Sequence, residues 1–162
     1  MDTKEIIVMV GLPASGKSTH RDKMIAESGV DYVIVSSDDE IERFALEEGS
    51  NYTEAFDKYV GRATAIAKKK FRDAVKEGKH IIWDQTNLTP KKRRSILKDV
   101  GEDYRKVAVV FELTDDELDR RINKRKSETG KDIPAHVMKS MAKSYLPPTK
   151  EEGFDNIIFV NN

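Results

Sequence analysis

The octapeptide Gly11-Leu12-Pro13-Ala14-Ser15-Gly16-Lys17-Ser18 fits the pattern G-x-x-x-x-G-K-[ST] at every fixed position. The run Ile6 to Val10 just before it is uniformly apolar and reads as a buried strand. From Lys17 to about Glu27 the pattern becomes helical. Few folds can host a strand that turns through glycines directly into a helix. In such a turn the backbone N–H groups close around anionic oxygens, and the helix N-terminus adds partial positive charge. Gly11, Pro13, Ala14, Ser15, Gly16, Lys17, Ser18 and Thr19 are therefore predicted to cradle the phosphates of a nucleotide. In that arrangement Lys17 reaches the β- and γ-phosphates and Ser18 offers a hydroxyl to Mg²⁺.

The rest of the chain alternates in the same way. Tyr32 to Val35 predicts a second strand, and Ser37-Asp38-Asp39-Glu40 has capping-box form before Ile41, Phe44 and Ala45 at helical spacing. Asn51-Tyr52-Thr53-Glu54 caps a helix that stops near Gly78. His80 to Trp83 is a third strand, and Thr89-Pro90 opens the next helix. Lys106 to Phe111 is a fourth strand. Thr114-Asp115-Asp116-Glu117 is another capping box, for a helix to about Arg125, and residues 127–132 read as a polar loop. A short helix follows Pro134 and is ended by Pro147-Pro148; Asn156 to Val160 is the last strand. This order predicts an α/β three-layer fold: a central parallel sheet of about five strands, with helices on both faces and a helical lid over roughly 114–145. Residues 1–162 make a single domain, with ligands at the carboxyl ends of the strands.

Composition narrows the chemistry. There is no cysteine, and His20, His80 and His136 lie far apart, so thiolate and zinc sites are not expected. No apolar run approaches the ~20 residues of a membrane span, and the N-terminus does not read as a signal peptide. The expected compartment is the cytoplasm, with no membrane and no obligate protein partner. The formal net charge of +0 hides a segregation. Residues 1–50 carry 5 Lys/Arg against 11 Asp/Glu, whereas residues 58–98 carry 13 against 3. A chain polarised in this way can attract a polyanion to one side.

Three constellations fall at predicted strand ends. Asp38-Asp39 follows the second strand; a carboxylate there accepts a proton from an attacking hydroxyl, and Asp38 is the preferred base. Asp84-Gln85-Thr86-Asn87 follows the third; Asp84 is placed to organise Mg²⁺, and Thr86 and Asn87 to contact substrate. Arg121 and Arg125 share a helix face and suit a transferring phosphate. The tracts Lys68-Lys69-Lys70 and Lys91-Lys92-Arg93-Arg94 flank the strand-three site and favour a polyanionic acceptor. Trp83, Phe71 and Tyr52 are the candidate stacking aromatics, with Trp83 expected in the core.

Taken in order, GLPASGKST, SSDD, DQTNLTPKKRR, ELDRRINKR and DIPAHVMKSMAKSYLPP resemble the phage-type polynucleotide 5′-kinases over nearly the whole chain. The resemblance implies an adenylate-kinase-like domain that transfers the γ-phosphate of ATP to a nucleic-acid 5′-OH. By position it implies Lys17 and Ser18 as the phosphate-loop pair, Asp38 as general base, and Arg121 and Arg125 as lid arginines, with Arg125 catalytic. The sequence departs from that family at three points. Ser37 stands where an arginine precedes the acid pair, Ile41 where an arginine follows the base, and Gln85 separates the acid from Thr86-Asn87. Arg43 is the candidate replacement at the acceptor, together with Asp39, Arg93 and Arg94. The chain has no D-x-D-G-T motif, so phosphate removal is not expected. The DQTN form and the KDIP…LP stretch also resemble the P-loop domain of heterogeneous nuclear ribonucleoprotein U.

The expected function is thus an ATP- and Mg²⁺-dependent kinase acting on single-stranded or end-exposed DNA or RNA, at a 5′-OH. Two alternatives remain open: a kinase of a nucleoside, modified base or small metabolite, and a non-catalytic, nucleotide-switched RNA-binding module.

Overall fold

The computed structural model describes residues 3–129 and 133–161. Five strands form one all-parallel sheet: β1 (Lys4–Gly11), β2 (Tyr32–Val35), β3 (His80–Asp84), β4 (Tyr104–Glu112) and β5 (Asn156–Asn161), in the order β2-β3-β1-β4-β5. The helices are α1 (Lys17–Ser28), α2 (Ser37–Glu48), α3 (Tyr52–Lys76), α4 (Pro90–Leu97), α5 (Asp115–Thr129) and α6 (Ala135–Ser144), with a 3-10 turn at Lys150–Glu152. This is the expected α/β class, with β1 central and its carboxyl end, where the glycine turn begins, flanked by β3 and β4.

The uniform apolarity of the strands has a direct cause. Ile6, Val8 and Val10 pack on one side with Val35, Ile81, Trp83, Ala108 and Val110, against Phe71 and Ala74 of α3 and Ile96 and Leu97 of α4. Ile7 and Met9 turn to the other side with Ile82, Val107, Val109 and Phe111, against Met24 and Ile25 of α1. Both sheet faces are covered, so no alternating polar residue is wanted. Trp83 packs edge-on to Phe71 with ring centroids 4.6 Å apart, and both are core residues. Neither is therefore available to stack a base.

Local signals set most boundaries, and the exceptions have reasons. Asn51 and Thr89 cap α3 and α4 through the backbone N–H groups of Glu54 and Lys92. The cap of α2 is Ser36, one residue before the expected one: its Oγ accepts from Asp39 N, which leaves Ser37 inside the helix. Thr114 Oγ1 accepts from Glu117 N, but the Glu117 carboxylate turns to Arg120 and Arg121, so the reciprocal half of that box does not form. Residues 127–129, expected in a loop, continue α5; the remainder of that loop, residues 130–132, lies outside the described residues.

Candidate active site

The glycine turn joins β1 to α1. Gly16 is left-handed at φ 97°, and a Cβ on Gly11 would stand 2.8 Å from Ser15 Oγ and 3.1 Å from Phe111, so no side chain fits at Gly11. Gly11 N donates to Thr86 O at 3.0 Å, and the buried Asn87 donates Nδ2 to Met9 O at 2.8 Å. These bonds dock the loop after β3 against the root of the phosphate turn, which fixes the distance between the two motifs.

Lys17 Nζ lies inside the turn and donates to Gly11 O and Leu12 O, both at 2.9 Å. Burial pushes its ammonium down to about 8; Asp84 and Asp38 oppose that shift and Arg125 adds to it. Ser18 Oγ donates to Asp84 Oδ2 at 3.0 Å. A hydroxyl and a buried carboxylate paired at the mouth of a phosphate cradle are the hard oxygen donors that Mg²⁺ prefers, so the residues present fit that ion. Asp84 is pushed up by its burial, against the pull of Arg21 and Lys17.

Arg21 is a residue that the sequence reading did not single out. Its Nη1 donates to Asp84 Oδ2 at 2.9 Å and to Asp39 Oδ2 at 3.0 Å, which spans the ends of β3 and α2. A signal for it exists: it lies three residues after Ser18, on the same helix face. Asp39 is thereby committed to Arg21. It lines the nucleotide side rather than the acceptor side. Asp38 points elsewhere, and Tyr52 Oη donates to its Oδ1 at 2.5 Å. Burial and the Asp38 charge both push the Tyr52 phenol up, which keeps it protonated as the donor.

Two cavities meet here. One, of about 940 Å³, runs over Gly16 to Thr19 and includes Asp84, Arg121 and Arg125. The other, of about 840 Å³, lies between the start of α3, the loop after β3 and α6; Tyr52, Phe56, Leu88, Val137 and Met141 give it a mainly apolar wall. Pro13, Asp38, Gln85, Thr86 and Arg125 line both. Arg121 Nη1 reaches Ser15 O at 3.3 Å, which brings α5 down onto the phosphate turn.

The structure thus brings Lys17, Ser18, Asp38, Asp84, Thr86, Asn87, Arg121 and Arg125 together. Besides Asp39, three more expected acceptor contacts lie elsewhere. Arg43 pairs with Glu40 and Glu47 on α2 and lines neither cavity, so it does not take the place of the arginine missing at Ile41. Arg93 is 0% exposed: its guanidinium holds Glu152 at 2.7 Å and donates to Asn87 O at 3.0 Å. Arg94 is exposed on α4 and lines neither cavity. Of the stacking candidates, only Tyr52 reaches a cavity, with Phe56 beside it at 5.8 Å between ring centroids.

The profile of the AAA domain family (AAA_33) matches residues 6–148. Heterogeneous nuclear ribonucleoprotein U-like protein 2 of Mus musculus is 28% identical over 96% of this chain, which spans 21% of that protein. The bifunctional polynucleotide phosphatase/kinase of Schizosaccharomyces pombe is 26% identical over 95% of this chain, which spans 33% of it. The chain thus spans a third or less of these curated relatives. In the solved structure of the Pnkp1/Rnl/Hen1 RNA repair complex, one chain superposes with a TM-score of 0.68 at 25% identity, covering 89% of this chain and 44% of that one.

Proposed function

The chain belongs to the AAA_33 family of AAA domains, and on that premise we propose that it is an ATP- and Mg²⁺-dependent kinase whose phosphoryl acceptor is a nucleic-acid hydroxyl, a 5′-OH end. It is a P-loop domain of kinase type, similar in sequence to a polynucleotide phosphatase/kinase and to an adenylate kinase. The observation that carries the phosphoryl-transfer reading is the wall shared by the two cavities, and the similarity to the polynucleotide phosphatase/kinase supports the nucleic-acid acceptor. Asp38 and Arg125 stand on it, so a nucleotide on one side and an acceptor on the other meet at a carboxylate and a guanidinium.

The chemistry follows from that placement. The turn and Lys17 hold the phosphates, and Ser18 and Asp84 are the residues that would hold Mg²⁺. Bound there, the ion supplies charge neutralisation to the phosphate oxygens. Tyr52 fixes one oxygen of Asp38, which leaves the other for the acceptor hydroxyl. As the acceptor oxygen bonds to the γ-phosphorus, its proton passes to Asp38 and the bond to the bridging oxygen of ADP breaks. Arg125, with Arg121 behind it, offsets the charge that spreads over the transferring group. Binding alone would require neither the Asp38 carboxylate nor the Arg125 guanidinium at the shared wall.

A second reading has one observation in its favour. The acceptor cavity is mainly apolar, with Lys92 and Arg125 its only cations among the described residues, which suits a compact acceptor such as a nucleoside or a small metabolite. Incubation with labelled ATP and a panel of 5′-OH DNA, 5′-OH RNA, nucleosides and 5′-phosphorylated controls separates the two. The expected result is label on 5′-OH oligonucleotides only. Asp38→Asn should lose at least ~10²-fold in turnover with ATP affinity nearly intact. Label on nucleosides but not on oligomers would shift the assignment to the second reading. No label anywhere, with ATP bound, would leave a nucleotide-switched binding module.

A further inference from the structure

The two basic tracts sort into paired and unpaired cations. Lys69 is held by Asp73 and Lys70 by the buried Glu40, and Arg93 is buried against Glu152. Lys68 and Lys92 have no ion-pair partner among the described residues, and both are exposed. Lys92 lines the acceptor cavity, and its Nζ lies 5.6 Å from the centroid of Trp83, which itself packs on Phe71 of α3. Lys68 stands one turn before Phe71. The two ammonium groups repel, and the Lys68 charge adds to the desolvation that pushes Lys92 down. Two elements distant in sequence therefore present unpaired positive charge to the same place.

The helix face leading there is bare. Thr53, Asp57, Gly61, Thr64 and Lys68 follow one another at three- and four-residue spacing and so share one side of α3. Thr53 and Asp57 line the acceptor cavity. Gly61 sits inside a helix of 25 residues, where glycine is less favourable than alanine. A Cβ at Gly61 would meet nothing within 4 Å, so packing within the chain does not require the glycine. Thr64 turns its hydroxyl back to Val60 O. The result is an open helix face from the cavity to Lys68, about 17 Å long from Asp57 at 1.5 Å per residue.

We propose that this face carries the phosphodiester backbone of the acceptor strand as it leaves the cavity, with its phosphates on Lys92 and Lys68 and its closest approach to α3 at Gly61. The inference rests on the nucleic-acid reading above and adds the path of the strand. The order of charge along the path fits a 5′-OH end. The carboxylates Asp38 and Asp57 line the cavity, where the terminal nucleoside carries no phosphate, and of the two lysines Lys92 stands on the cavity wall and Lys68 farther along α3.

The test is anisotropy titration of a fluorescent 5′-OH octanucleotide at several salt concentrations, with phosphoryl transfer read in the same samples. The proteins are the wild type, the double variant Lys68→Gln/Lys92→Gln, and Gly61→Leu. Releasing two phosphate contacts should make the log–log salt slope of the double variant shallower by about 1.4, at ~0.7 per single-strand phosphate. Gly61→Leu should weaken oligonucleotide binding several-fold while melting no lower than wild type, because leucine is a better helix former and has room. Affinity for a nucleoside 3′-phosphate, which fits inside the cavity, should not change in Gly61→Leu, because Gly61 does not line it. An unchanged salt slope in the double variant, or no oligonucleotide binding by the wild type, overturns the path. Transfer to the 5′-OH with an unchanged slope overturns the path and keeps the kinase reading. A shallower slope without transfer keeps the path and overturns the kinase reading.

Discussion

Lys17 shows at the scale of one side chain how the site is prepared for an anion. Its ammonium is folded into the phosphate turn on two carbonyls, and burial holds its pKa down to about 8. Phosphate oxygens beside it favour the charged form and raise that value again. Above about pH 8 the free protein holds Lys17 largely neutral and the nucleotide complex holds it charged, so binding must take up a proton. Uptake should be near zero at pH 7, grow through pH 8 and persist toward the ordinary lysine value of 10.5. Over the same window nucleotide affinity should fall as pH rises. Calorimetry in two buffers of different ionisation enthalpy measures it directly, and Lys17→Ala should abolish the uptake along with most of the affinity. The motif made this lysine legible in the sequence. Of the residues gathered near it, Arg21 carried only the signal of its spacing from Ser18, and Tyr52 and Gln85 become cavity-lining residues where the end of β3 meets the starts of α2 and α3.

At the scale of elements, α4 is held by charge rather than by its apolar side alone. The Arg93–Glu152 pair has both side chains nearly inaccessible, at 0% and 4%, and joins α4 to the 3-10 turn before β5. Removing one member strands the other, which typically costs about 3–5 kcal/mol. Arg93 also satisfies Asn87 O, so the loss would reach the loop that lines the acceptor cavity. Burial alone would raise the Glu152 carboxyl, but the Arg93 guanidinium and Thr149 outweigh it and hold it below the usual glutamate value of 4.5. A depressed folded-state value means that the pair's contribution is complete above about pH 4.5 and is lost as pH falls through the lower one. Urea unfolding across pH 3 to 7 should show Glu152→Gln less stable by roughly 3–5 kcal/mol at neutral pH, with a shallower loss toward acid than wild type. Run-of-four basic residues read as one surface tract in the sequence. Helical geometry divides them, turning Arg93 inward while Lys91, Lys92 and Arg94 stay outside.

For the whole molecule, the consequence of a preformed cradle is stabilisation by the nucleotide it receives. At a hundredfold excess over the dissociation constant, a ligand bound only by the folded state adds about 2.7 kcal/mol. At this chain length that corresponds to a rise in melting temperature of roughly 5–10 °C, since 1 kcal/mol shifts it by about 2–4 °C. Differential scanning fluorimetry with ATP and Mg²⁺ should show the rise, and Lys17→Ala should remove most of it. A flat response in the wild type would contradict nucleotide binding at the turn. Among the described residues no helix is long and apolar enough to cross a membrane, which agrees with the absence of long apolar runs. By itself the sequence determined the strand–turn–helix core, the alternation that makes a parallel sheet, and the glycine turn from which α1 starts. All of these are set by neighbours in the chain: backbone N–H groups around glycines, apolar runs, caps a few residues away. Only the tertiary structure decided which charges face a ligand. Arg43 and Arg93 were captured by Glu40, Glu47 and Glu152, Asp39 by Arg21, and Asp38 by Tyr52, and Lys68 and Lys92 have no ion-pair partner among the described residues. An ion pair forms between whichever groups the packing of helices on a sheet brings within reach, and Arg93–Glu152 lies 59 residues apart in the chain.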